Sequence, residues 1–165
     1  MIAGRLHRGF TGGAGEVGYM PVPDSPVEWD SRRRKFGGFQ ALVGAPAVRA
    51  LAREHGLGAP TAQESIAKAL ATPGAGDAFL SELAGRLAVG LAVIVSVVDP
   101  QLVVLSGAVP SAGGERLRAL VEEELARISI ARPEVRSSAL PGSPVLLGAL
   151  QRALSDAREA VFSTH

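Results

Sequence analysis

Apolar residues recur at three- and four-residue spacing from Phe39 onward, and this periodicity predicts helices along most of the chain. Pro46 favours a helix start because its fixed φ suits the first helical turn, and Gly56 favours the end of that helix. The next helix begins at Thr61, because Thr61 and Glu64 have the spacing of a capping box ahead of an apolar run. These signals predict two consecutive helices between residues 39 and 73.

A longer helix follows, which we expect Asp77 to cap and Asp99-Pro100 to end, since proline restricts the residue before it. Its most apolar part runs from Leu87 to Val98, which is twelve residues. A helix of that length rises about 18 Å, well short of the ~30 Å hydrocarbon core of a membrane. The run therefore predicts a buried core helix rather than a membrane span. Since the chain also starts without a signal-peptide pattern, we expect a cytoplasmic protein.

The remaining elements alternate strand and helix. Leu102 to Leu105 is a continuous, β-branched-rich run, typical of a strand buried on both faces of a parallel sheet. A helix is predicted from 114 to 129, a weaker strand from 135 to 139, and a last helix from 144 to 162. Glycine-rich residues 1–22 predict short strands and tight turns. This order of elements predicts an α/β fold.

Composition narrows the classes of protein to consider. The length is that of one domain, and we expect residues 1–165 to form a single one. Hydrophobic residues make up 47% and the formal net charge is +1, which excludes global disorder. Cysteine is absent, which excludes disulfides, thiolate metal sites and cysteine nucleophiles. Aromatic residues are few and the pattern shows no recognition helix, so we expect no direct contact with nucleic acid.

Candidate chemistry in the sequence is sparse. The glycine-rich run at 12–15 lacks the strand–loop–helix context of a phosphate-binding loop. Glu16 follows that run, and two interpretations stay open: a carboxylate that projects from a tight backbone into a cleft, or a solvated turn residue. The basic run from Arg32 to Lys35 would meet phosphate or an acidic partner, although such a run on a loop is more often simply solvated.

Four segments, in order along the chain, resemble signatures of the ROK family of sugar kinases and sugar-responsive repressors. Residues 12–20 resemble a glycine-rich turn followed by A-G-E-x-G-H, and residues 37–40 resemble G-C-L-E. Residues 99–107 resemble the family's N-P-x-x-[IV]-[IV]-[IL]-G-G strand, and residues 143–150 resemble its closing A-x-L-x-G-A helix. Together the four segments extend over essentially the whole chain.

The resemblance implies a fold as well as a family. It implies the second half of an actin-like (ribonuclease H-like) ATPase fold, which is an α/β domain with a small sheet packed with helices. The preceding half, with its D-x-G-x-T phosphate motif and catalytic aspartate, has no counterpart in this sequence. Because phosphoryl transfer needs positioned ATP and a base, this weighs against enzymatic activity without excluding it.

The same resemblance implies candidate site residues. Sugar contacts in the family come from the glutamate and histidine of A-G-E-x-G-H and from the glutamate of G-C-L-E. The matching positions here are Glu16, Tyr19 and Gln40, and all three side chains can hydrogen-bond sugar hydroxyls. Gly107, at the end of the third segment, is the candidate nucleotide contact, although we expect no bound ATP.

We do not expect the family's zinc site. Its histidine falls on Tyr19 and its three cysteines on Ser31, Arg33 and Gly38, so no nitrogen or sulfur ligand of a structural zinc site remains. No metal or other cofactor is therefore expected. Residues 21–38 form a loop that no zinc ion would hold in place, and we predict that this loop is mobile.

Three functions stay open. The first is the ligand-sensing or oligomerisation domain, from the C-terminal part, of a ROK transcriptional regulator, truncated and without its DNA-binding domain. The second is the remnant of a sugar kinase that needs a separate N-terminal half to phosphorylate hexoses with ATP. The third is a non-catalytic interaction module. The partners implied are a sugar or sugar phosphate, and either a second copy of the chain or the missing half, since unpartnered apolar helices mark association sites.

Overall fold

A computed structural model describes residues 4–23, 38–140 and 144–162 of the chain. Its regular elements in those ranges are six α-helices and two β-strands, preceded by a single 3₁₀ turn at Val17–Tyr19. In chain order the elements are α1 (Phe39–Val43), α2 (Ala45–Glu54), α3 (Ala62–Leu70), α4 (Ala75–Val98), β1 (Leu102–Leu105), α5 (Ala108–Ile128), β2 (Glu134–Ser137) and α6 (Pro144–Phe162). The predicted alternation of helices with two short strands is confirmed.

The hydrophobic core forms around α4. Its buried side chains recur at three- and four-residue spacing, which places them on the faces that meet α3 and α5. The side chains at the centre of this core are fully buried: Val48, Leu51, Ile66, Phe79, Leu80, Leu83, Leu117, Val121 and Leu125. They come from four different helices, so α2, α3, α4 and α5 are held together by one shared apolar contact region.

Among the described residues, α4 is also the one helix with the length and composition of a membrane span. Half of its most apolar window is buried inside the fold, however, against α3 and α5. A core helix of a folded domain passes the same test of length and hydropathy. The burial agrees with the prediction that the apolar run from 87 to 98 belongs to a core helix.

The two strands form a parallel ladder in which Leu102 pairs with Glu134 and Leu105 with Ser137. The prediction that β1 is buried on both faces is wrong. Leu105 is buried, but Leu102 and Val104, which share the opposite face, are 41% and 52% exposed. Alternate residues of a strand point to opposite faces of the sheet, which places Leu102 and Val104 together. Helix α5 packs on the face of Leu105, and no described element buries the face of Leu102 and Val104.

Two predicted helix starts show how the sequence sets the element boundaries. Thr61 Oγ1 accepts a hydrogen bond from the Glu64 N–H at 3.1 Å, and Glu64 Oε2 accepts one from the Thr61 N–H at 3.2 Å, so the predicted capping box is confirmed. Asp77 lies three residues inside the helix rather than at its cap. It accepts from the Gly74 N–H at 3.1 Å, which satisfies a backbone donor that the first turn leaves free.

Several predicted elements differ from the structure. The stretch from Phe39 to Gly56, predicted as one helix, is divided at Gly44 into α1 and α2. Helix α5 begins at Ala108 rather than near Gly114, although Gly114 interrupts it with φ 55° and ψ −149°. The short strands predicted within residues 1–22 are wrong for the described part, residues 4–22. There Arg5 forms an isolated bridge, and the rest is irregular chain with bends, one turn and the 3₁₀ turn. Glycine φ values there are repeatedly positive, which favours turns over extended pairing.

Candidate functional site

The glycine-rich segment folds into a compact turn that presents Glu16. Gly12 and Gly15 have φ values of +83° and +94°, which other residues rarely adopt. The Ala14 N–H donates to the Arg8 carbonyl oxygen at 3.1 Å, and the Val17 N–H donates to the Gly15 carbonyl oxygen at 2.7 Å. Glu16 is therefore fixed at the start of the 3₁₀ turn, and its side chain is exposed.

The second candidate segment is joined to this turn through its backbone. The Phe39 N–H donates to the Met20 carbonyl oxygen at 2.8 Å. Gly38 has φ +62°, and a Cβ added there would lie 2.8 Å from the Tyr19 carbonyl oxygen, closer than real Cβ atoms come. Glycine is thus required at position 38 because the two backbones approach so closely. This approach brings the start of α1 against the 3₁₀ turn.

Gln40 completes the junction between the two segments. A Cβ added at Gly18 would lie 3.1 Å from Gln40 Oε1 and 3.4 Å from Gln40 Cβ, so the Gln40 side chain lies directly against Gly18. Tyr19, the next residue, is 41% exposed. The structure therefore brings the Gln40 segment against the turn that carries Glu16 and Tyr19. That these three residues contact a sugar stays a prediction.

A groove of about 280 Å³ lies beside Gln40. Small side chains and a proline complete its lining: Ala41, Gly44, Pro46 and Ala47. An amide at the edge of a small apolar groove offers both hydrogen bonds to hydroxyls and contact with the C–H face of a sugar ring. We define the candidate site as Glu16, Tyr19, Gln40 and this groove.

Phe39 anchors the candidate site to the core. Its side chain is buried, and a Cβ added at Gly90 of α4 would overlap the Phe39 ring. Gly90 thus leaves the space in α4 into which the ring fits. Periodicity did not reveal this contact, because Phe39 and Gly90 lie far apart in sequence and glycine carries no apolar signal.

Gly107 lies in another part of the fold. It follows β1 with φ +99° and precedes the first turn of α5, and it is exposed. Its carbonyl oxygen accepts a hydrogen bond from the Ser111 N–H at 3.0 Å, which fixes it as the cap of that helix. A nucleotide contact at Gly107 stays a prediction.

The residues at the zinc positions do not fit a zinc ion. Tyr19 offers a phenol in place of the imidazole, and Gly38 offers no side chain at all. Ser31 and Arg33 lie outside the described residues, as does most of the loop that we predict to be mobile. In the ranges 4–23, 38–140 and 144–162, no group of three or more His, Asp or Glu residues is arranged to hold a metal ion.

Sequence reasoning missed a polar cluster on the outer side of α4. His55 Nε2 lies 3.0 Å from Glu82 Oε2, and Arg86 donates to Glu82 Oε1 at 2.8 Å. The hydrogen bond from His55, followed by that from Arg86, lowers the pKa of the Glu82 carboxyl. Glu82 and Arg86 also line a cavity of about 460 Å³ that Leu42 borders. The cluster ties the end of α2 to α4, and the sequence separation of its members hides it from periodicity.

The described residues form a helix-rich α/β domain with one pair of parallel strands, in which a glycine-rich turn packs against a short helix. A sequence model of the ROK family matches residues 1–155. The chain belongs to the ROK family. It has part of the actin-like ATPase fold of that family, in a helix-rich form with a small sheet, as predicted.

Solved structures agree with this assignment. The ROK hexokinase from Thermus thermophilus is 25% identical over 94% of this chain and 52% of its own, with a TM-score of 0.68. A candidate sugar kinase from Cytophaga hutchinsonii ATCC 33406 is 19% identical over 93% of this chain and 52% of its own, with a TM-score of 0.71. A ROK family transcriptional regulator, a homolog of the E. coli MLC protein, is 15% identical over 81% of this chain and 37% of its own, with a TM-score of 0.64.

The chain spans about half the length, or less, of these solved relatives. No curated protein matches it in sequence. The family model establishes the family, and the solved structures, which include kinases and a regulator, agree in the fold.

Proposed function

We propose that this chain is the ligand-sensing and oligomerisation domain of a sugar-responsive ROK transcriptional regulator of the cytoplasm. The observation that supports it is the contact of the Gln40 side chain with Gly18, which brings Gln40 against the turn that carries Glu16 and Tyr19. A carboxylate, a phenol and an amide together accept from and donate to hydroxyl groups. Such a set suits a sugar or a sugar phosphate better than an apolar ligand.

The groups of the candidate site suit the binding of a sugar better than the transfer of a phosphoryl group. A kinase needs metal-bound ATP and a group that orients the attacking hydroxyl. The candidate site offers hydrogen-bonding groups for a hydroxylated ligand, and its proposed role is to bind that ligand without a metal or nucleotide cofactor.

A kinase half is the second candidate. It is supported by the 25% identity to the Thermus thermophilus hexokinase, which extends over 94% of this chain and about half of that enzyme. In this case the catalytic aspartate would come from a complementary half. Incubation of the chain alone with hexoses and ATP is expected to give no sugar phosphate, and phosphorylation of any hexose would overturn the sensing proposal.

Calorimetric titration with hexoses, amino sugars and ATP tests the sensing proposal. We expect one sugar to bind. Glu16→Ala is expected to lower the affinity for that sugar about 10- to 100-fold, because hydrogen bonds to a charged group contribute about 1.5–3 kcal/mol. Glu54→Ala is the matched control, since Glu54 is an exposed glutamate at the end of α2.

Two results would contradict this expectation. Equal sugar affinity of the unmodified protein and Glu16→Ala would remove Glu16 from the site. No heat with any sugar would leave the third function, a non-catalytic interaction module, which the exposed apolar residues of α6 support.

A further inference from the structure

A second cavity, of about 460 Å³, lies between α1 and α4 and outside the candidate site. We call it the α1–α4 cavity. Leu42 of α1 lines it on one side, and four residues of α4 line it on the other: Glu82, Gly85, Arg86 and Val89. Those four recur at three- and four-residue spacing, so they lie on one face of the helix. None of them lines the groove beside Gln40, so the two cavities are separate.

The polar part of the α1–α4 cavity is an ion pair. Arg86 donates to Glu82 Oε1 at 2.8 Å, and the two side chains are 28% and 45% exposed. The hydrogen bond from His55, followed by that from Arg86, lowers the pKa of the Glu82 carboxyl, so this group is ionised at neutral pH. A guanidinium is always protonated there. The lining therefore presents one negative and one positive charge side by side.

Both charged groups keep hydrogen-bonding capacity that a ligand can use. A carboxylate has about four lone-pair sites, and Glu82 accepts one hydrogen bond from Arg86 and shares another with His55. A guanidinium carries several N–H donors in a planar fork, and within the described residues Arg86 uses one of its groups, toward Glu82. The ion pair can therefore bind a ligand without first being broken.

The rest of the lining is apolar. Leu42 and Val89 are partly buried and pack on the core, and Pro23 completes the lining. A Cβ added at Gly85 would meet nothing within 4 Å, so glycine leaves the space beside the ion pair open. The volume is that of a small-molecule site. The α1–α4 cavity thus joins a pair of opposite charges to an apolar space.

The paired charges select the kind of ligand. A singly charged ligand is attracted by one member of the pair and repelled by the other, whereas a zwitterion complements both. We propose that the α1–α4 cavity binds a free amino acid with an apolar side chain. Glu82 accepts from its ammonium group, Arg86 donates to its carboxylate, and its side chain contacts Leu42 and Val89. This site lies beyond the proposed function and does not depend on it.

NMR titration of the isotope-labelled chain tests this proposal, because the amide signal of Gly85 reports on the cavity. Leucine is the probe. It is compared with glycine, isoamylamine and isocaproate, which lack its apolar side chain, its carboxylate and its ammonium group, respectively. We expect leucine to bind with a Kd of about 1 mM or below. Each of the other three compounds is expected to bind at least about tenfold more weakly, since each loses one charged contact or the apolar burial.

Two double variants test the assigned residues. Glu82→Gln with Arg86→Met removes both charges from the cavity and keeps side chains of similar length. Glu123→Gln with Arg127→Met is the matched control, because Glu123 and Arg127 form an ion pair of the same spacing on α5, 2.6 Å apart, and neither lines the cavity. The first variant is expected to lower the affinity for leucine at least about tenfold, and the control is expected to leave it unchanged.

The proposal would be overturned if leucine caused no saturable shift of the Gly85 amide signal. Equal affinity for leucine and any of the other three compounds, or equal affinity of the two double variants for leucine, would also overturn it. The compound series uses the unmodified chain, so it decides the question even if a variant unfolds. No sugar enters these experiments, so failure here and failure of the sensing proposal are distinguishable.

Discussion

Replacement of Phe79 by alanine is expected to lower the free energy of unfolding by about 3–5 kcal/mol, as deletion of a buried aromatic ring does. Phe79 is fully buried in α4, and its ring is steeply inclined to the His55 ring, at 72°, with the ring centroids 6.1 Å apart. Removal of the ring leaves a cavity between helices that cannot fully collapse. Since domains of this kind are stable by about 5–15 kcal/mol, the loss is a large share of the total. Urea denaturation followed by circular dichroism measures it.

Phe162→Ala is the control for this experiment. Phe162 ends α6 and is 77% exposed, so the same deletion there is expected to change the free energy of unfolding by less than about 0.5 kcal/mol. Similar losses for the two variants would mean that the core is not centred on α4 as described.

The second large effect is expected at Gly90. A Cβ at this position would overlap the buried Phe39 ring, so Gly90→Ala must displace either the ring or α1. Overpacking of this kind costs about 1–3 kcal/mol. Alanine also stabilises a helix interior by roughly 1 kcal/mol relative to glycine, which offsets part of the cost.

Gly85→Ala isolates the packing effect, because Gly85 lies in the same helix and a Cβ there meets nothing within 4 Å. The gain in helix propensity is common to both variants, so their free energies of unfolding should differ by about 1–3 kcal/mol. The Phe39 N–H also donates to the Met20 carbonyl oxygen, so a displaced Phe39 would disturb the junction of the two candidate segments. Gly90→Ala should therefore lower the affinity for the sugar that the unmodified protein binds, and Gly85→Ala should not. Equal stability of the two variants would contradict the packing of Phe39 against Gly90.

Local chemistry made the helices predictable. The capping box at Thr61, Pro46 near a helix start and the periodic apolar residues of α4 each act within a few neighbouring residues, and the structure confirms all three. Helix α6 was predicted with the bounds that the structure shows, since Pro144 fits a first helical turn. These signals are carried by residues close in sequence.

Contacts between distant segments were not predictable in this way. The apolar run in β1 predicted two buried faces, yet exposure of Leu102 and Val104 depends on what lies over the sheet. The contacts of Phe39 with Gly90 and of His55 with Glu82 depend on how helices cross, which periodicity does not encode. The sequence described each helix well, but it did not reveal which of them meet.

The candidate site falls between these two cases. The resemblance to the ROK family pointed to Glu16, Tyr19 and Gln40, and no pattern in the residues alone would have paired position 40 with position 18. The structure supplies that pairing through Gly18 and Gly38, whose missing side chains allow the close approach. The sugar contact itself stays a prediction that depends on this geometry.

Hydrogen–deuterium exchange with and without the sugar identified by calorimetry tests the central claim most directly, because the claim is that two separate segments form one ligand surface. We predict that the bound sugar lowers deuterium uptake in peptides covering both 16–20 and 38–44, and leaves β2 and the second half of α5 unchanged. Protection confined to one of the two segments, or located elsewhere in the chain, would contradict the account.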